Sequence, residues 1–149
     1  MNIQIGLGAQ YVKDLSFENP NAPQILNDLQ TQPQMGLDVN VLSRNLNDHV
    51  YESVLKIKLE SKIKDKTGFI VELSYAGIFS LPPELPEEQV KLFLLVEAPR
   101  LLFPFARAIV SNAVREGGFP NVTLQPIDFM ALYASQRENV GTMKPQGAA

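Results

Sequence analysis

The sequence contains no cysteine, a single histidine and little charge. Without cysteine there is no disulfide framework, no thiolate zinc site and no cysteine nucleophile. One histidine, His49, is too few for a histidine-rich metal centre and makes a Ser-His-Asp triad difficult, although carboxylate chemistry stays open. Charged side chains make up 19% of the 149 residues, against about 25% in an average soluble domain, while hydrophobic ones reach 45%. Low charge at ordinary hydrophobicity argues that part of the surface is buried against something else. The net charge of -3 excludes electrostatic capture of nucleic acid or of an anionic membrane as the main activity. Met1 to Gln10 has no basic residue and no apolar run of signal-peptide length. The longest apolar stretches, such as Leu92 to Val96, fall far short of the roughly 20 residues that span a bilayer. The expectation is a soluble protein of the cytoplasmic type.

What is present alternates like a sheet in the first half. From Tyr51 to Ile63 the odd positions are mostly apolar (Leu55, Ile57, Leu59, Ile63), while the even ones include Glu52, Lys56, Lys58, Glu60 and Lys62. Period-two alternation of this length predicts a strand with one apolar and one solvated face. The turn Asp65–Gly68 and a second run with Phe69, Val71, Leu73 and Tyr75 on one face complete a hairpin. Met35, Leu37, Val39 and Val41 predict another strand, and a further one runs from Ile3 to Phe17. Between those two, prolines 20, 23 and 33 restrict the crossover to a short helical turn around Gln24 to Leu29.

After Ser80 the period changes. Pro86-Glu87-Glu88 predicts a helix start, with acids near the positive end of the dipole. Pro99 is expected to break that helix, and Pro104 to place the start of the next near Leu101. Leu102, Phe105, Ala106, Ile109 and Ala113 form a stripe on it, but Leu101, Ala108 and Val110 spread apolar character round its sides. Such a helix needs a second partner besides one sheet face, and another copy of the chain is the simplest. Gly117-Gly118 ends it, and Asp128 caps a last helix in which Ile127 and Leu132 can form a hydrophobic staple. Strands first and helices after predict an α+β domain over residues 1–139, with a four-stranded antiparallel sheet and C-terminal helices packed on one side. The tail from Val140 to Ala149, small and polar, is expected to be disordered.

Few residues invite chemistry. Gly6-x-Gly8 lacks the third glycine of a phosphate loop and reads better as a flexible arm. His49 reads as a loop residue at a strand entry, and Glu84, Glu87 and Glu88 as a solvated helix start. Asp14, Glu18 and Glu72 would share one exposed face with Ile70 if the first strand packs near the Phe69–Tyr75 strand. Met35, Leu37 and Val39, together with Ile25, Leu26 and Leu29 of the crossover, are either plain core or a partly exposed groove for extended apolar peptide.

Four segments carry a family resemblance: Tyr11 to Pro23, Gly77 to Ser80, Ala98 to Arg107 and Gly118 to Tyr133. In order and spacing they resemble the SecB protein-export chaperones over nearly the whole chain. The resemblance implies a homotetramer built as a dimer of dimers, with no enzymatic activity and no cofactor. It implies a chaperone that holds precursors unfolded in the bacterial cytoplasm and delivers them to the SecA translocation ATPase. On this likeness Asp14, Glu18, Ile70 and Glu72 match the positions that recognise SecA, whose zinc-bearing basic segment suits three carboxylates round one apolar side chain. Ile25, Leu26, Leu29, Met35, Leu37, Val39, Leu132 and Tyr133 fall on the client groove. Val71, Leu73 and Tyr75, with Leu102, Phe105 and Ile109 of the over-apolar helix, match the tetramer contacts. One departure stands out: the final ten residues hold a lysine and no acid, where many family tails are longer and acidic. A chaperone dedicated to one client such as an antitoxin, a small carboxylate enzyme and a purely structural oligomer are the competing readings.

Overall fold

The computed structural model describes residues 4–140, with side chains to residue 136. Residues 141–149, nearly all of the tail expected to be disordered, lie outside the described residues. The strands are β1 (Gly6–Glu18), β2 (Gln34–Asn47), β3 (Val50–Ile63) and β4 (Lys66–Ser80), and a 3₁₀ turn at Gln24–Asp28 occupies the crossover as expected. They form one antiparallel sheet in the order β1-β4-β3-β2. The hairpin turn is tighter than Asp65–Gly68: Lys64 and Asp65 both take positive φ, at 52° and 66°, and Ile63 already pairs with Lys66. Two such residues match the right-handed twist of the flanking strands, so Thr67 pairs with Lys62, and Gly68 is the extra residue at an irregularity before Phe69 pairs with Ser61. Gly6 and Gly8 belong to β1 rather than to a flexible arm.

The helices are α1 (Glu87–Leu92), α2 (Ala98–Glu116) and α3 (Phe129–Val140). Pro99 does not break the chain between the first two. A π-helical segment at Phe93–Glu97 joins them, and Pro99 lies in the first turn of α2, where its missing N–H is not needed. Pro104 therefore falls inside the helix, on its exposed side. Within the π segment the Leu94 carbonyl accepts a hydrogen bond at 2.9 Å from the buried Ser53 hydroxyl of β3. At the other end Gly118 adopts φ 91°, and Asp128 Oδ1 accepts the Ala131 N–H at 3.0 Å, the cap read from sequence.

α2 packs on β4 and β3. Its buried stripe is Leu102, Phe103, Ala106, Val110 and Val114, so the expected stripe through Phe105 and Ala113 is rotated. Opposite it lie Leu55, Ile57 and Leu59 of β3 with Val71, Leu73 and Tyr75 of β4, in cross-strand register. Phe69 joins this core to Phe17 of β1 and to Phe119 beyond α2, through ring contacts at 5.9 and 5.0 Å.

Candidate docking and client-binding surfaces

The open face of the sheet assembles the acidic patch. Glu18 lies cross-strand from Ile70, Ser16 from Glu72, and Asp14 from Ser74. Asp14, Glu18 and Glu72 are exposed and Ile70 is half-buried, so all four stand on one accessible surface. Pairing across the other edge of β4 adds what sequence reasoning missed: Glu60 lies opposite Ile70, and Lys58 opposite Glu72. The patch is thus four carboxylates round Ile70, bounded on β3 by a cation. The even positions of β3 were visible in the sequence, but their alignment with β4 required the register. A cleft of about 550 Å³ opens beside the patch, lined by Asp14 and Glu72, by Asp38, Lys56 and Lys58, and by Leu132 and Gln136 of α3.

The same face holds a buried carboxylate. Glu52 was read as solvated, yet only 2% of it is exposed. It accepts hydrogen bonds from Tyr11 Oη at 2.5 Å, Lys13 Nζ at 3.1 Å and Arg44 Nε at 3.0 Å. Burial pushes its carboxyl up, but those three donors and the Lys13 charge outweigh burial and hold it below its ordinary value of 4.5. Tyr11 is pushed up to about 12, first by burial and then by the hydrogen bond to Glu52 and its charge. The signs define a stability window. Glu52, with its folded value depressed, contributes in full above the unfolded value and loses that contribution as pH falls through the folded one. Tyr11, with its folded value raised, contributes in full below about 10 and loses it as pH rises towards 12. Thermal midpoints measured across pH should therefore fall at both ends, and Tyr11→Phe should flatten the limb between about 10 and 12. An alkaline limb unchanged in that variant would assign it to other groups and refute the expectation.

The apolar residues expected to line a client groove divide in two. Met35 and Leu37 are 44% and 43% exposed on β2, an edge strand, and Val39 is half-buried beside them. Leu37 pairs with Leu59 and Val39 with Ile57, so this surface continues the core face outward past its cover. Leu26, Leu29, Leu132 and Tyr133 are partly buried against the core, and Leu132 also lines the cleft beside Asp38 and Val39 of β2. Ile25 is a correction: 2% exposed, it belongs to the core and offers no wall.

The residues read as tetramer contacts also need correcting. Val71, Leu73 and Leu102 are at most 2% exposed within a single chain, and Tyr75 is buried. The chain's own helix already covers them, because β4 faces α2. Phe105 and Leu101 point outward, each 51% exposed, and Ile109 is partly buried. Phe105 stacks on Tyr75 at 6.3 Å, so the outer apolar ridge rests directly on the core beneath.

Among the described residues no group of three or more His, Cys, Asp or Glu could hold a metal, and no helix is long and apolar enough to cross a membrane. His49 sits exposed in the β2–β3 turn, its carbonyl accepting the Leu81 N–H at 2.9 Å.

Comparison with known proteins agrees with this architecture. The family model described as preprotein translocase subunit SecB matches residues 1–140. A protein-export protein SecB of Rhodospirillum centenum is 53% identical over 148 residues, covering 99% of this chain and 88% of that protein. Another, from Granulibacter bethesdensis, is 52% identical over 139 residues, covering 88% of this chain and 81% of the relative. Among solved structures, a SecB-like chaperone of Mycobacterium tuberculosis in complex with a ChAD peptide from the HigA1 antitoxin shares the fold, with a TM-score of 0.69 at 12% identity over 83% of this chain and 90% of that one. The chain belongs to the SecB family, and its role is that of a chaperone in preprotein export.

Proposed function

We propose that the protein works without ATP or any catalytic step, in the bacterial cytoplasm, binding unfolded precursors along its apolar strand edge and passing them to SecA. The observation that carries this reading is the pair of surfaces on one sheet: exposed Met35 and Leu37 at the β2 edge, and three exposed acids round Ile70 on the open face. An extended client gains many weak apolar contacts and main-chain hydrogen bonds at such an edge, and several edges in one assembly multiply its affinity. A homotetramer, arranged as a dimer of dimers, supplies those edges. The outward ridge of Leu101 and Phe105 is the apolar surface that suits its assembly. The acids and Ile70 suit a basic partner segment, and SecA, which brings its own zinc, is that partner.

The test is a titration of a slowly folding precursor against the native protein and an Asp14→Ala/Glu72→Ala variant. Both should delay refolding equally. The variant should lose about tenfold or more of its affinity for SecA, roughly 1.4 kcal/mol. A native protein that leaves the refolding rate untouched would remove the chaperone mechanism. A variant that binds SecA at full strength would remove the docking assignment alone.

A further inference from the structure

The pairing of β1 with β4 is irregular at one telling place. Val12 lies opposite Tyr75, and the next paired residue is Asp14, opposite Ser74. Lys13 is the extra residue of a β-bulge. In an unbroken strand, residues two apart share a face, so Val12 and Asp14 would look the same way. The bulge resets that parity. Ahead of it, Tyr11 reaches Glu52 on the open face; past it, Asp14 and Glu18 take that face, while Phe17 turns to the core and stacks on Phe69.

The two β1 residues that reach Glu52 are Lys13, the bulged residue itself, and Tyr11, two positions ahead of it. They do so across β4, where the intervening position is Ala76, small and fully buried, paired with Tyr11 on one side and Val54 on the other. From the opposite flank Arg44 of β2 fills the same carboxylate. A buried ion pair contributes little net stability compared with apolar packing, and fixing register is its best-attested use.

We propose that Glu52 is a positioning residue for the docking face: by anchoring the bulge at Lys13 it sets the parity that brings Asp14 and Glu18 beside Ile70 and Glu72. The inference rests on the docking reading above and deepens it. Glu52 touches no partner itself; it acts through β1.

The experiment measures SecA affinity, client capture and amide hydrogen exchange over residues 11–16 for Glu52→Gln, Asp14→Ala and the two combined. Glu52→Gln should weaken SecA binding roughly five- to tenfold, leave client capture unchanged and speed exchange along β1. In the combined variant the Glu52 effect should shrink, because one of the two acids it positions is gone. Full SecA affinity in Glu52→Gln, or a loss that multiplies independently with that of Asp14→Ala, overturns the proposal. Should Glu52→Gln fail to fold, Tyr11→Phe removes one hydroxyl from the same anchor. It should show a smaller loss in the same direction, and unchanged affinity with unchanged exchange would be equally fatal. Should Asp14→Ala alone bind SecA normally, the docking reading falls, while the exchange measurement still decides whether Glu52 anchors the bulge.

Discussion

Phe69→Ala should lower the free energy of unfolding by about 3–5 kcal/mol, a large share of the roughly 5–15 kcal/mol that holds a domain together. Phe69 is 1% exposed, and its ring packs three pieces together: Phe17 on β1, its own strand β4, and Phe119 after α2. Truncation opens a cavity bounded by two other rings, whose strand and loop are held by main-chain bonds and cannot collapse into it. Aromatic pairs add about 0.5–1.5 kcal/mol beyond their buried area, so the loss should exceed that of a lone aliphatic side chain. Urea denaturation at matched protomer concentration measures it, because self-association shifts apparent stability. Phe69→Leu, which refills most of the space, should recover more than half of the loss. A cost below about 1 kcal/mol for the alanine variant would show that the three pieces are not coupled through this ring.

Gly117→Ala should also destabilise, by about 1–3 kcal/mol, although helix propensity alone favours alanine. Gly117 has φ -79°, open to any residue, so backbone strain is not the reason. A Cβ there would stand 2.3 Å from Phe17 Cζ and 2.5 Å from Cε2. The ring cannot readily swing aside: it stacks on Phe69, and two residues further on the Asn19 amide donates to the Gly117 carbonyl at 3.0 Å. Phe17→Leu should be destabilising by itself yet should remove most of the added cost of Gly117→Ala. That coupling is read from thermal midpoints of the two single variants and the double variant. A Gly117→Ala protein as stable as the parent would mean that Phe17 has room the packing denies it.

Much of the fold was legible because its signals are local. The β3–β4 hairpin announces itself in the alternation of Leu55, Ile57 and Leu59 with charged neighbours, and Asp128 marks its helix through the N–H it accepts. The proline readings failed for a physical reason. Pro99 and Pro104 both lack a donor, but what that does depends on the turn that receives them, and the π segment ahead of α2 moved both positions within the helix. The acids and Ile70 of the proposed docking patch could be named through family resemblance, since their meeting depends on β1 lying beside β4. Glu52 could not be picked out, because it looks like its solvated neighbours Lys56 and Lys58. Its partners include Tyr11, 41 residues away. Val71 and Leu73 show the converse limit: alternation assigns them a face, and only the placement of α2 decides whether own helix or second subunit covers it.

The strand order also dictates a sequence of events in time. β2, β3 and β4 pair as neighbours through short turns, whereas β1 must return to β4, and the bonded pair Gln10 and Tyr75 is separated by 65 residues. Closing that loop costs more chain entropy than closing either turn, so β1 is expected to be seated last. Asp14 and Glu18 both ride on it. A half-made copy would therefore expose apolar strands before Asp14 and Glu18 take their places beside Ile70 and Glu72. On the docking role proposed for those two acids, delivery would wait for molecules in which β1 has been seated.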